Sequence, residues 1–119
     1  MGMTHIEMEV VNPSEMERST TVRLIVDSGL RYSVVSEETL NEIGIRPIAE
    51  ERFELTNGDT VTRKKGAAIF KYQGRIGGSD VVFGEPGDVE LLGRLTLGSL
   101  GFALDPLRRE FHEVPLMLA

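Results

Sequence analysis

Asp27-Ser28-Gly29 follows the apolar run Leu24-Ile25-Val26 without a break. A carboxylate delivered by such a run is costly to bury ionised and alone. Two readings of the triplet follow. It is a tight turn in which Asp and Gly serve the backbone, or its carboxylate does general acid or base work. Asp59, Asp80, Asp88 and Asp105 all sit in turn-like or loop-like surroundings, and none stands out as a second acid for a catalytic pair.

Other chemistries find little support. The chain has no cysteine, which excludes disulfides, thiolate nucleophiles and cysteine-ligated zinc. His5 and His112 are the only histidines. His112-Glu113 lacks the second histidine of a zinc-protease helix, and Pro115 disrupts any helix there. Neither histidine sits in a setting that suggests a Ser-His-Asp arrangement. Gly74, Gly77 and Gly78 form no phosphate-cradling pattern, and no Gly-Lys-Ser/Thr exists. These residues call for no metal and no cofactor.

The elements around Asp27 read as strands. Ile6, Met8 and Val10 alternate with Glu7 and Glu9 before Asn12-Pro13-Ser14 breaks the run, and Val22, Leu24 and Val26 share one face of a second strand. Phe53 and Leu55 lead into Asn57-Gly58, a two-residue hairpin signal because a type I′ turn needs positive φ at both centres. Thr60 to Thr62 returns from it. Ala68, Phe70 and Tyr72 run to Gln73-Gly74, and Ile76 to Phe83 follows. Val89–Leu92, Phe102–Leu104 and Glu110–Val114 complete the strands. Phe53, Phe70 and Phe83 are expected in the core or a cleft wall.

Two stretches read as short helices. Ser36 caps one that holds Leu40 and Ile43 and closes on Gly44; the other, around Leu97 and Leu100, ends at Gly101. Thr39-Leu40-Asn41-Glu42-Ile43-Gly44-Ile45 is echoed by Thr96-Leu97-Gly98-Ser99-Leu100-Gly101-Phe102. Each copy follows an apolar strand that ends in glycine, at Gly29 and at Gly93.

With 119 residues and no linker or low-complexity stretch, residues 1–119 are expected to form one domain. The formal charge of -6 disfavours nucleic acid and anionic membrane as partners, since both need a concentrated positive face. The basic clusters Arg63-Lys64-Lys65 and Arg108-Arg109 are short and read as solvated surface. No segment has the apolar length of a membrane span, and Met1-Gly2-Met3-Thr4 opens no signal-peptide core. A soluble protein is the default, and the lack of cysteine suits a reducing cytoplasm.

The longer string Leu24-Ile25-Val26-Asp27-Ser28-Gly29-Leu30-Arg31-Tyr32-Ser33-Val34-Val35 resembles the active-site strand and loop of retropepsin-like aspartic proteases. Leu91-Leu92-Gly93-Arg94 looks like the second signature of that family, and Asn57-Gly58-Asp59 falls where it places the tip of a β-hairpin flap. Leu100 to Pro106, with Arg108-Arg109 next, resembles the closing strand and tail of bacterial members. The resemblance spans about Thr4 to Pro115. It implies an all-β, closed barrel-like acid protease fold with one or two short helices, each chain forming one subunit of a homodimer.

By the same resemblance, Asp27 is the catalytic acid and its second carboxylate comes from Asp27 of another copy. Ser28 bonds across the two-fold axis. Gly29 admits the substrate backbone and offers its carbonyl. Leu30, Arg31, Asn57, Gly58, Asp59 and Leu92 contact an extended peptide. The implied function is an aspartic endopeptidase. Two departures stand out: Leu30 replaces the usual alanine, and Arg31 replaces the acidic residue of retroviral members, so no ion pair with Arg94 can form. Leu30 favours the alternative, a noncatalytic dimerisation or peptide-binding module with the same fold.

Overall fold

The structure is a computed structural model and describes residues 4–105, 110–115 and 118. In chain order these form β1 (His5–Asn12), β2 (Glu15–Val26), β3 (Ser33–Ser36), α1 (Glu37–Glu42), β4 (Ala49–Glu54), β5 (Thr60–Tyr72) and β6 (Arg75–Gly84). β7 (Leu91–Leu92), α2 (Arg94–Leu100), β8 (Phe102–Asp105) and β9 (Glu110–Glu113) follow. The all-β expectation with two short helices is met.

A single sheet in the order β1-β2-β7-β3-β6-β5-β4 closes on itself, because β1 also pairs with β5. Glu9, Val10 and Val11 meet Lys71, Phe70 and Ile69 across that seam. Closure removes the open edges a flat sheet would present, and it leaves β4 hanging from the first half of β5 as a two-stranded arm. Both faces of the expected alternation appear. Met8, Val10, Val22, Leu24 and Val26 point inward with Phe70, Val81 and Phe83. Leu40, Leu97 and Leu100 from the helices join the same core.

Local chemistry sets the ends of these elements. The Ser36 hydroxyl accepts a hydrogen bond from the Thr39 amide at 3.2 Å, and α1 closes on Gly44. Buried Asn12 donates to the carbonyl of Ile43 at 2.9 Å, while its oxygen accepts the amides of Ser14 and Glu15. One side chain thus satisfies both a strand turn and the capping carbonyl of a helix 31 residues away.

Two hairpin expectations change. At the tip of the β4–β5 arm, Leu55 donates to Asp59 at 2.7 Å and Gly58 donates to Leu55 at 2.9 Å. Only Gly58 has positive φ there, at 92°. The tip is therefore a three-residue loop with a left-handed glycine, not the two-residue type I′ turn that Asn57-Gly58 suggested. The type I′ geometry belongs instead to Gln73 and Gly74, with φ of 49° and 80°, between the paired residues Tyr72 and Arg75. The strand expected over Val89–Leu92 shortens to Leu91–Leu92, the two residues in register with β2 and β3, although the Glu90 carbonyl still accepts the Ile25 amide at 3.1 Å.

The closing hairpin of β8 and β9 packs on the barrel through Tyr72, Phe102 and Phe111, whose rings lie 5.7 to 5.9 Å apart. Arg75 adds an ion pair to Glu113 at 2.9 Å. Pro106 and the expected basic pair Arg108-Arg109 lie outside the described residues. Among the described residues no helix is long and apolar enough to cross a membrane.

α2 begins where main chain crosses main chain. A Cβ added at Gly93 would sit 2.5 Å from the carbonyl carbon and oxygen of Tyr32 and 2.6 Å from the carbonyl oxygen of Arg31. Gly93 supplies no capping side chain. The orphan amides of Arg94 and Leu95 instead find the carbonyls of Leu30 at 2.9 Å and Arg31 at 3.1 Å. The Gly93 amide donates to the Ser33 hydroxyl at 3.0 Å. That hydroxyl also meets Thr96 Oγ1 at 2.5 Å, and Thr96 meets Ser79 at 3.0 Å. Gly93→Ala is therefore expected to cost about 3 kcal/mol, the scale of a forced overpacking. Gly98→Ala, in the same helix but with nothing within 4 Å, is expected to be neutral or to stabilise by up to ~1 kcal/mol. Urea denaturation of both variants checks the contrast.

Candidate active site

Val26, buried in the core, pairs in parallel register with Leu92, and the next residue is Asp27. The Asp27 amide donates to the Leu92 carbonyl at 3.0 Å, and its carbonyl accepts from Leu30 at 3.2 Å. These bonds turn the chain sharply at the strand end and present the carboxylate half-buried at the surface. Asp27 Oδ1 accepts the Gly29 amide at 3.0 Å. A Cβ at Gly29 would press within 3.2 Å of that same oxygen, so a residue without a side chain suits the position. No cationic side chain among the described residues pairs with Asp27, and its second oxygen has no hydrogen-bond partner there.

The neighbouring residues differ in what they face. Ser28 and Gly29 are exposed. The Ser28 hydroxyl has no partner among the described residues of the subunit. The Gly29 carbonyl lies 3.4 Å from Arg94 Nη1, so the arginine reaches the loop rather than an acidic partner at position 31. Leu92 is a correction. Expected on the substrate side, it is fully buried among core residues, and it serves the site through its main-chain carbonyl alone.

A cleft of about 670 Å³ opens between the Asp27 loop and the β4–β5 arm. Leu30, Arg31 and Asn57 line it, while Gly58 and Asp59 form the arm tip outside the lining. Its wall is largely apolar, with Val34, Val61, Val82 and Leu91 beside Leu30. Asp27 stands next to this lining rather than within it.

Arg63 and Lys65, expected on solvated surface, instead have side chains only 17% and 18% exposed and help to hold the arm in place. Tyr32 meets Phe53 edge-on at 5.4 Å between ring centres, joining the Asp27 loop to β4. Lys65 stands 5.6 Å over the same Tyr32 ring and pairs with Glu51. Arg63 on β5 grips Asp88 through Nε at 2.7 Å and Nη2 at 3.0 Å, a two-pronged contact with the loop that precedes β7. Phe53, expected in the core or a cleft wall, lines the cleft. No local signal marks the partner of Arg63, since Asp88 lies 25 residues away in a turn.

The Arg63 hydrogen bond holds the Asp88 carboxyl below its ordinary value of 3.8, against partial burial, with help from the Glu85 amide. A depressed folded value means the stabilisation is complete above the unfolded value and fades as pH falls through the lower folded one. The stability lost in Asp88→Asn should therefore be constant from neutral pH to about pH 5 and should shrink below pH 3.8. Urea denaturation of both proteins across that range measures it.

No family model matches the sequence, and a search of curated proteins finds no match. Solved structures do. The solution structure of simian foamy virus (mac) protease aligns over 78% of this chain and 92% of its own, with 24% identity and a TM-score of 0.52. That likeness concerns architecture, and it joins the closed sheet, the turn at Asp27 and the overhanging arm into one conclusion: this chain has a retropepsin-like fold.

Proposed function

We propose that two copies of this chain pair to form an aspartic endopeptidase, with one Asp27 from each subunit flanking a single water. The observation that carries this reading is the Asp27 carboxylate itself. It stands at a strand end beside an apolar cleft, with one oxygen held by the Gly29 amide and no cation paired to it within the described residues. One such carboxylate per chain is half of what the reaction needs.

In the assembled site the ionised carboxylate takes a proton from the water, whose oxygen bonds to the scissile carbonyl carbon. The protonated partner donates to the carbonyl oxygen. Collapse of the tetrahedral species breaks the C–N bond, and a proton passes to the leaving amine. Ser28, exposed and unpartnered in its own subunit, bonds across the axis and keeps the two carboxylates coplanar. The arm carrying Asn57, Gly58 and Asp59 closes over a substrate that adds as an extended strand. Leu95, an exposed apolar residue whose amide binds the loop carbonyl of Arg31, lies next to the proposed seam. An obligate seam of this kind buries on the order of 2,000 Å². We place the chain with bacterial-type single-domain members, in a reducing cytoplasm, on the sequence features given above.

One observation favours a second reading. Leu30 lines the cleft three residues from Asp27, and its bulk would suit a module that binds peptides without turning them over.

Asp27→Asn decides between them. The substitution should reduce cleavage of an unstructured protein by roughly 10²- to 10⁴-fold or more while solution mass and circular dichroism stay as in the parent. Undiminished cleavage would remove Asp27 from the chemistry. Peptide binding without cleavage by the parent protein would select the second reading. Two carboxylates sharing a proton titrate in steps roughly 3 units apart, and the steps belong to the pair. The rate of cleavage should therefore peak on the acid side of neutral, and a flat pH–rate profile would argue against a paired site.

A further inference from the structure

Charge in the cleft runs against charge in the rest of the chain. The protein carries a net -6, yet three guanidiniums line the cleft, those of Arg31, Arg52 and Arg63, against the two carboxylates of Glu54 and Asp88. Arg63 and Asp88 satisfy each other. Arg31 and Arg52 remain, both exposed and neither with a carboxylate partner among the described residues. Arg18, Arg63, Lys65 and Arg75 each have such a partner, while Arg23, Arg46, Lys64, Lys71 and Arg94, which also have none among the described residues, lie outside the cleft lining. Glu54, two residues from Arg52 along β4, makes no ion pair.

Resting on the reading of the cleft as a peptide site, we infer that it selects segments carrying an acidic side chain close to an apolar one, with Arg31 and Arg52 as the residues that determine this choice. The apolar wall around Leu30 and Val61 takes the apolar side chain. The two unpaired guanidiniums offer donor forks that match a carboxylate. The net negative charge of the protein favours basic ligands at a distance. Screening confines that pull to about 8 Å at physiological salt, whereas a carboxylate seated at Arg31 or Arg52 is in direct contact and partly shielded by apolar walls. The two local arginines therefore outweigh the one unpaired local carboxylate, Glu54, and the distant ones.

Three synthetic peptides that share an apolar core and differ in one flanking residue, Glu, Gln or Lys, test the inference at about pH 5.5, where a glutamate side chain is largely ionised. Cleavage by the parent protein and binding by its Asp27→Asn variant, followed by fluorescence anisotropy, are measured side by side. The Glu peptide should exceed the Lys peptide roughly tenfold in kcat/KM or in affinity, the scale of one hydrogen bond to a charged group. Arg31→Glu combined with Arg52→Glu should reverse the order. Equal cleavage of all three peptides by the parent overturns the charge selection and leaves the endopeptidase standing. Preferential binding of the Glu peptide with no cleavage of any peptide overturns the endopeptidase and leaves the selection standing. Neither binding nor cleavage sinks both.

Discussion

At Gly93 two stretches of main chain pass with no room for a methyl group between them, and the position of Asp27 depends on that contact. The close approach lets the first amides of α2 reach the carbonyls of Leu30 and Arg31, so a helix start and a loop satisfy one another without any side-chain cap. Behind the crossing, the buried hydroxyls of Ser33 and Thr96 and the half-buried one of Ser79 form a chain that ends on the Gly93 amide. No buried side-chain polar atom among the described residues lacks a partner. A network of this kind is favourable only when complete, because each unpaired buried group forfeits its hydration. The loop is therefore held from below by hydrogen bonds and from beside by Val26 and Leu92, and its carboxylate is held at the surface by its neighbours.

The barrel divides this work between its parts. β2 and β7 run parallel for two residues and deliver Asp27, while β5 serves three neighbours along its length. Its first half carries the arm that overhangs the cleft. Its second half closes the barrel against β1 and ends at Tyr72, in the aromatic cluster that seats the final hairpin. One long strand thus connects the arm, the core and the closing hairpin.

Much of this was legible in the sequence because it follows from short-range rules. Alternation at Met8, Val10, Val22 and Leu24 placed the inner face, and Ser36, Gly44 and Gly101 marked helix ends whose geometry the structure reproduces. What escaped depends on pairings between distant residues. Asn57-Gly58 matches a two-residue turn, but the register of Glu54 with Thr60 imposes a longer loop, and the type I′ turn falls to Gln73-Gly74, where Tyr72 and Arg75 pair directly. Leu92 lies in a strand whose two faces are not distinguishable over two residues, and the barrel takes its side chain inward. Ser33 and Thr96 are 63 residues apart, and nothing local marks either as half of a buried hydroxyl pair. The arginines of the cleft were visible as letters, but their lack of partners is a property of the folded surface.

The arm formed by β4 has a consequence of its own. Along its six residues only Phe53 is even partly buried, and the rest face solvent. Lifting it away from the body would break its ladder with the first half of β5, one edge-on ring contact and the grip of Lys65 on Glu51, but no part of the central core. Its amides can therefore exchange with water by local breathing, in a cooperative unit of low stability. Those of Val10 and Val11 in β1, fully buried where the strand lies between β2 and β5, must await global unfolding. The arm can thus part from the body and return while the barrel stays folded.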